Sequence, residues 1–282
     1  MKKTTQRRKG VNLLITKVIS EWKGKTALIT GASYGIGEEF ARQLAAAGAN
    51  LILTARSRDR LEALAAELHQ VEVTVITADL DDPSAPEAIF RETEGLALNI
   101  DLLVNNAGFG LVGDFARLPL RRQLEMLQVN VAALVALSHL YVQPMITRRS
   151  GAIIQVASTA AFQGVPYFAV YSATKAFILT FSEALWGECR PSNVRVLALC
   201  PGPTATNFQE VAGTAQRRSS EKMQSPAEVV RLCLDALAHG RSHVVSGFSN
   251  RLMVGMERLV PRNLVVRAAA RLFRQFSSSS QH

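Results

Sequence analysis

The sequence predicts an α/β domain, a doubly wound parallel sheet of seven strands with helices on both faces. Three observations carry this reading. Short continuous apolar runs alternate with amphipathic helical periods. A glycine-rich turn joins the first strand to the first helix. The polar and reactive residues gather just after the strands, where a sheet of this kind binds its ligands.

The strands are Ala27–Thr30, Leu51–Thr54, Val73–Ile76, Leu102–Val104, Ala152–Val156 and Arg195–Leu199, with a seventh near His243–Val245. Each is an apolar run with little alternation, as expected of a strand covered on both sides. Helical periods fall between them at roughly 35–47, 58–69, 84–97, 120–148, 171–190 and 226–239. Right-handed crossovers then give a Rossmann-type sheet, with its ligand at the carboxyl ends of the strands. No internal repeat is visible.

Composition agrees. The chain has 282 residues, 48% apolar and 20% charged, which suits one large domain and excludes a disordered or collagen-like chain. Cys189, Cys200 and Cys233 are too few and too scattered for a disulfide framework, and no CxxC pair points to a metal, so a reducing, cytoplasmic setting is expected. Residues 1–25 hold eight Lys/Arg and one Glu, and residues 241–282 hold seven Arg and one Glu, whereas the body between them is mildly acidic. Charge at the ends, away from the folded surface, argues against a nucleic-acid reader and leaves an anionic surface or simple solubility. The apolar patch Val11–Thr16 is too short for a signal peptide, and no apolar stretch reaches the ~18 residues of a membrane span. The expected division is a basic extension over 1–24, a dinucleotide-binding catalytic domain over 25–250, and a basic amphipathic helix with a Ser-rich tail over 251–282.

After the first strand stands Thr30-Gly31-Ala32-Ser33-Tyr34-Gly35-Ile36-Gly37. Glycines at this spacing let the backbone turn sharply and approach a pyrophosphate, and the helix start offers it unpaired N–H groups. The plain alternative is an ordinary strand–turn–helix. The second strand leads to Arg56, where an acid would bind the ribose hydroxyls of NAD and an arginine suits the extra phosphate of NADP. A cation is disfavoured at a helix start, so Arg56 asks for an anionic partner. Asp79 and Leu80 follow the third strand, with Asp81 and Asp82 expected to cap the next helix. Asn105-Asn106-Ala107-Gly108 follows the fourth, small enough for close approach to a ribose.

Ser158 follows the fifth strand, and Tyr171-Ser172-Ala173-Thr174-Lys175 opens a helix. At spacing i, i+4, Tyr171 and Lys175 share a helix face. A phenol titrates near ~10; an adjacent ammonium and an oxidised nicotinamide both favour phenolate. Tyr171 can then exchange a proton with a substrate oxygen that Ser158 holds. Asn130 fixes a helix bend and a water leading to Lys175. A lone YxxxK is usually a solvated helix face; beside a nucleotide loop and a strand-end serine it is a reactive pair.

TGASYGIG, NNAG, Asn130, Ser158, YSATK and Pro201-Gly202-x-Thr204-x-Thr206 together resemble the short-chain dehydrogenase/reductase family over about Lys23–Phe248. The resemblance implies an oxidoreductase in which Tyr171 is the general acid/base. Lys175 tunes it and binds the nicotinamide ribose, Ser158 orients the substrate and Asn130 supports a proton relay. It implies that Gly31, Ser33, Gly35, Ile36, Arg56, Asp79, Leu80, Asn106, Ala107 and Gly108 line the cofactor. Pro201, Gly202, Thr204 and Thr206 surround its carboxamide. An arginine directly after the second strand looks like the NADP-preferring branch, although Tyr34 replaces the basic residue some members carry before the second glycine. NNAGFGLVGDF and the TARS junction resemble acyl-chain and steroid reductases.

Phe109, Leu111, Val112, Phe162, Val165, Phe168 and Phe208 are expected to wall an apolar substrate, a ketone, aldehyde or secondary alcohol. Ala205–Gln224, polar and carrying Gly213, Arg217, Arg218, Ser219 and Ser220, is expected to form a lid. A nucleotide sensor or scaffold is the alternative function, but it would have no use for Ser158, Tyr171 and Lys175 together. A homo-oligomer is expected through Leu134, Leu137, Phe177, Phe181 and Trp186. From Pro261 the helical wheel sets Arg267, Arg271 and Arg274 opposite Val265, Val266, Ala269, Leu272, Phe273 and Phe276, leaving Leu264 as an exception. That helix either docks on the protein or contacts a membrane peripherally.

Overall fold

A computed structural model of the chain describes residues 21–206, 208, 212, 223–257 and 259–277. The basic segment 1–20, the lid positions Gly213, Arg217, Arg218, Ser219 and Ser220, the side chains of Leu272, Phe273, Arg274 and Phe276, and the tail from 278 lie outside the described residues.

The strands are β1 (Thr26–Thr30), β2 (Asn50–Ala55), β3 (Val73–Thr77), β4 (Ile100–Asn105), β5 (Gly151–Val156), β6 (Val194–Cys200) and β7 (His243–Val245). All pair in parallel, in the order β3-β2-β1-β4-β5-β6-β7. The sheet grows leftward from β1 to β3 and rightward from β4 to β7. The crevice between β1 and β4 is therefore its switch point.

Helices α1 (Gly35–Ala46), α2 (Arg58–Glu67), α3 (Ala85–Gly95), α4 (Leu120–Leu127), α5 (Ala133–Thr147), α6 (Ala169–Cys189) and α7 (Pro226–Ala238) match the predicted periods. Alternate strand residues serve opposite faces. Ile29, Leu53, Val104 and Ile154 pack with Phe40 and Leu44 of α1, Leu61 of α2 and Val230 of α7. Leu28, Ile52, Leu103 and Ile153 pack with Ile89 of α3 and Leu137 and Tyr141 of α5. This double burial is why the strands read as unbroken apolar runs.

Several expectations change. Trp22, assigned to the extension, is buried in the core beneath Lys25 and Arg195, whose charged groups lie 5.4 and 5.6 Å from its ring. Leu134 and Leu137 face the core and are closed to a partner, whereas Phe177 is 42% exposed. Leu120, Leu124 and Leu127 form an additional exposed stripe on α4. The helical run Leu120–Thr147 is long and apolar enough to cross a membrane by length and composition, although polar residues interrupt it throughout. In the fold, its α5 part lies on the sheet, with Leu137, Tyr141 and Met145 in the core. Asp82 does not cap α3; Ser84 is the cap residue and donates to Asp82 through its backbone N–H and hydroxyl, both at 2.8 Å.

The boundary expected at 250/251 falls inside a helix, α8 (Phe248–Glu257), which is followed by α9 (Arg262–Ser277). Val254 of α8 enters a core cluster with Ile178, Leu179 and Val245. On α9, Ala269 is buried and Val265 half-buried while Arg267 and Arg271 stay exposed. The wheel is borne out there, except that Val266 remains partly exposed.

Candidate active site

A cleft of about 800 Å³ opens at the carboxyl ends of the strands. Every residue predicted to bind the cofactor lines it: Gly31, Ser33, Gly35, Ile36, Arg56, Asp79, Leu80, Asn106, Ala107, Gly108, Tyr171, Lys175, Pro201, Gly202, Thr204 and Thr206.

Thr30 and Asn106 lock the switch point. The Thr30 hydroxyl oxygen accepts from the backbone N–H groups of Asn106 and Ala107, each at 3.0 Å. The Asn106 amide donates to the carbonyls of Thr30 at 2.9 Å and Gly31 at 3.1 Å. The two loops lie so close that a Cβ on Gly31 would stand 2.9 Å from the Ala107 Cα, and the φ of +64° at Gly31 itself excludes most side chains. Gly35, at φ +59°, leaves no room for a Cβ against Thr206, 2.8 Å away. The residue before α1, Tyr34, makes no side-chain cap, so the first N–H groups of the helix are left for an anion. Farther along the cleft the buried Thr54 hydroxyl has no protein partner. A glycine cradle, an uncapped helix start and an unpaired hydroxyl fit a dinucleotide laid across the strand ends.

At the other end Ser158, Tyr171 and Lys175 converge on the cleft. Ser158 leads out of β5 into a short 3-10 turn, its side-chain oxygen accepting from Ala160 N–H at 3.1 Å. Tyr171 lies in the first turn of α6, its ring stacked on Phe168 with centroids 4.2 Å apart. Lys175, one turn on, is 4% exposed and donates to the Val156 carbonyl at 2.8 Å.

Burial pushes the Tyr171 phenol up to about 12, against the pull of its hydrogen bond with Ser158. It also holds the Lys175 ammonium down at about 8. In the chain alone burial therefore raises the phenol, the opposite direction to that expected of the lysine and the nicotinamide together. The ammonium is itself desolvated, is held by a carbonyl, and sits 5.7 Å from the phenol ring centroid.

Asn130 lines no part of the cleft; it is fully buried at the centre of a π-helical turn, Gln128–Ala132, between α4 and α5. There its amide meets both backbone groups of Phe109, donating to the carbonyl at 2.9 Å and accepting from the N–H at 3.0 Å. It also donates to the Thr174 hydroxyl at 3.1 Å. A Cβ on Gly108 would lie 2.9 Å from the Asn130 oxygen and 3.5 Å from the Lys175 nitrogen, so both side chains close in on this glycine. Where a bend is predicted at Asn130, the structure has one wide π-helical turn.

Of the predicted substrate wall, Phe109, Val165, Phe168 and Phe208 line the cleft. Phe162 does not. It packs edge-on against His243, with centroids 6.2 Å apart, in the cluster of Ile178 and Val254. Leu111 and Val112 also lie off the cleft. Sequence reasoning missed Arg60 and Arg122. Arg60 lies over the Tyr34 ring at 3.8 Å, and Arg122 over Phe109 at 4.9 Å; both line the cleft. The only sequence signal for Arg60 was its place one helical turn beyond Arg56.

Residues 25–217 match the model of the short chain dehydrogenase family. The chain is 32% identical over 227 residues to a very-long-chain 3-oxoacyl-CoA reductase of Phaeosphaeria nodorum, covering 78% of this chain and 64%, under two thirds, of that protein. It is 31% identical over 240 residues to a 7beta-hydroxysteroid dehydrogenase of Collinsella aerofaciens, covering 83% and 90% of the two chains. Among solved structures, a short-chain dehydrogenase from Sphingobium yanoikuyae in complex with NADPH superposes with a TM-score of 0.75 at 31% identity, over 83% of this chain and 94% of that one. Fold, strand-end chemistry and kinship thus agree, and the chain belongs to the short-chain dehydrogenase family of oxidoreductases.

Proposed function

We propose that the protein is an NADP(H)-dependent reductase of apolar ketones or aldehydes, running in reverse on secondary alcohols. The observation that carries this reading is the convergence of Ser158, Tyr171 and buried Lys175 at the apolar end of the glycine-walled cleft. A bound nicotinamide supplies or accepts the hydride.

The chain's own groups handle the oxygen. Ser158 holds it. Tyr171, fully protonated at neutral pH with its pKa at about 12, donates the proton that turns a carbonyl oxygen into a hydroxyl. Lys175, fixed on the Val156 carbonyl, places positive charge beneath the phenol as its proton leaves.

Two arginines support NADP(H). Arg56 at the end of β2 and Arg60 in the first turn of α2 both reach the cleft. Stacking on Tyr34 holds the Arg60 guanidinium at the loop where a basic residue is absent. The solved NADPH complex supports the same cofactor. Phe109, Val165, Phe168 and Phe208 favour an apolar substrate, and the oxoacyl-CoA and steroid enzymes among the relatives support a long acyl chain or a steroid skeleton. The exposed Leu120, Leu124, Leu127 and Phe177 support a homo-oligomer, which light scattering reads.

The test is NADPH consumption, followed by absorbance, with a 3-oxoacyl thioester, an oxosteroid and an aromatic ketone. The reading expects turnover of at least one, with NADPH preferred to NADH. NADPH binding without turnover of any of them would leave a nucleotide sensor.

A further inference from the structure

We propose that the face formed by α8 and the start of α9 docks on an anionic lipid surface. Helix α8 is amphipathic the wrong way round for a soluble protein. Its inner face holds Val254, buried, and Asn250, which donates to the Ser246 carbonyl at 2.7 Å. Its outer face carries Phe248, Leu252 and Met256, spaced four apart and therefore stacked in one stripe, exposed by 76%, 56% and 55%. Beyond it in the chain Leu259 is 86% exposed, and Leu264 is exposed in the first turn of α9. A contiguous exposed apolar patch of this kind marks an interaction surface.

Charge selects the occupant. Arg251, Arg262, Arg267 and Arg271 are exposed on the same two helices. Residues 241–282 contain seven arginines and a single acid, Glu257. That acid is half-buried, its carboxylate facing the end of the Gln163 side chain at 3.1 Å. Apolar side chains bordered by arginines, with the acid turned inward, complement a bilayer. The apolar groups enter the acyl boundary, and the guanidinium groups stay at the phosphates. A second copy fits worse, because two-fold pairing would set the arginines of one chain against those of the other.

The placement gives the surface a use. Asn250 packs against Gly202 of the cleft, and Val266 of α9 lies 3.7 Å from where a Cβ of Gly164 would stand, next to the cleft residue Val165. Lipid docking would thus bring the cleft close to the membrane. This does not depend on which substrate the cleft accepts.

The test is flotation of the full chain with phosphatidylcholine vesicles, with and without phosphatidylglycerol. The expected result is binding to the anionic vesicles that weakens at high salt. In the variant carrying Leu252→Ser, Met256→Ser and Leu259→Ser, partitioning should fall about tenfold or more with the thermal melt unchanged. No flotation at low salt would overturn the proposal, as would equal binding to neutral vesicles. Undiminished binding of the triple variant would also overturn it, by assigning attachment to another basic segment. Light scattering in which the triple variant alone loses an oligomer, with no vesicle binding by the parent, would assign the face to self-association instead.

Discussion

The Asn130 side chain satisfies both backbone polar groups of Phe109, its nitrogen 2.9 Å from the carbonyl and its oxygen 3.0 Å from the N–H. One buried amide thus holds the loop after β4 against the wide turn between α4 and α5. Phe109 lines the cleft while Asn130 does not, so Asn130 is a positioning residue. Asn130→Ala leaves two backbone groups unpaired in the interior. It should lower stability by about 2–4 kcal/mol and reduce kcat more than it raises KM. Denaturant titration and steady-state kinetics check this; an unchanged kcat would remove Asn130 from the catalytic scaffold.

Lys175 is buried with its ammonium held down at about 8. Below that pH the folded protein bears the cost of an enclosed charge. Between pH 8 and the ordinary lysine value of 10.5, the unfolded chain binds the extra proton and the folded state gains stability. Lys175→Met avoids the cost. It should therefore be more stable than the parent at pH 7, by up to about 3 kcal/mol less the lost hydrogen bond to Val156. That advantage should shrink as pH rises from 8 to 10.5. The same variant should lose turnover and cofactor affinity. Denaturation of both proteins at neutral and alkaline pH tests the sign.

Gly31→Ala should be costly for two separable reasons. A φ of +64° disfavours any side chain by roughly 1–2 kcal/mol, and the new Cβ would stand 2.9 Å from the Ala107 Cα. Calorimetry should show a lower Tm, and NADPH titration a weaker complex. A variant with parental Tm and affinity would mean that the cradle is looser than this geometry.

Cofactor choice should follow the two arginines. Arg56→Asp should shift selectivity from NADPH toward NADH. Arg60→Ala should weaken NADPH about tenfold while leaving NADH nearly unchanged. Titration of both nucleotides decides; equal parental affinity for NADH and NADPH would refute the assignment.

Much of this was legible in the sequence because burial on both faces leaves strands as plain apolar runs, such as Leu51–Thr54 and Ala152–Val156. The glycine loop, Ser158, Tyr171 and Lys175 follow strands directly, so locating the strands located the site. Other features leave no local mark. The π turn at Asn130 is a backbone slip inside a continuous helical period. Arg60 sits between Asp59 and Glu62 and reads as a solvated face; only stacking on Tyr34, from a different loop, brings it to the cleft. Phe162 was misplaced because composition gives an aromatic its neighbourhood but not its direction, and the 3-10 turn after Ser158 points it at His243. Helix α8 was missed because its apolar residues Phe248, Leu252 and Met256 lie on the exposed side while Asn250 faces inward, so no ordinary amphipathic period set it apart from the C-terminal helix.

The central claim is that Tyr171 gives its proton to the substrate oxygen. The most direct measurement compares Tyr171→Phe with the parent for NADPH-dependent turnover of the best carbonyl substrate, with NADPH affinity measured alongside. The account predicts a loss of about 10²–10⁴ in kcat with nucleotide binding nearly intact, because only the phenolic oxygen is removed and the ring keeps its stack on Phe168. Turnover by Tyr171→Phe close to the parental rate would contradict it.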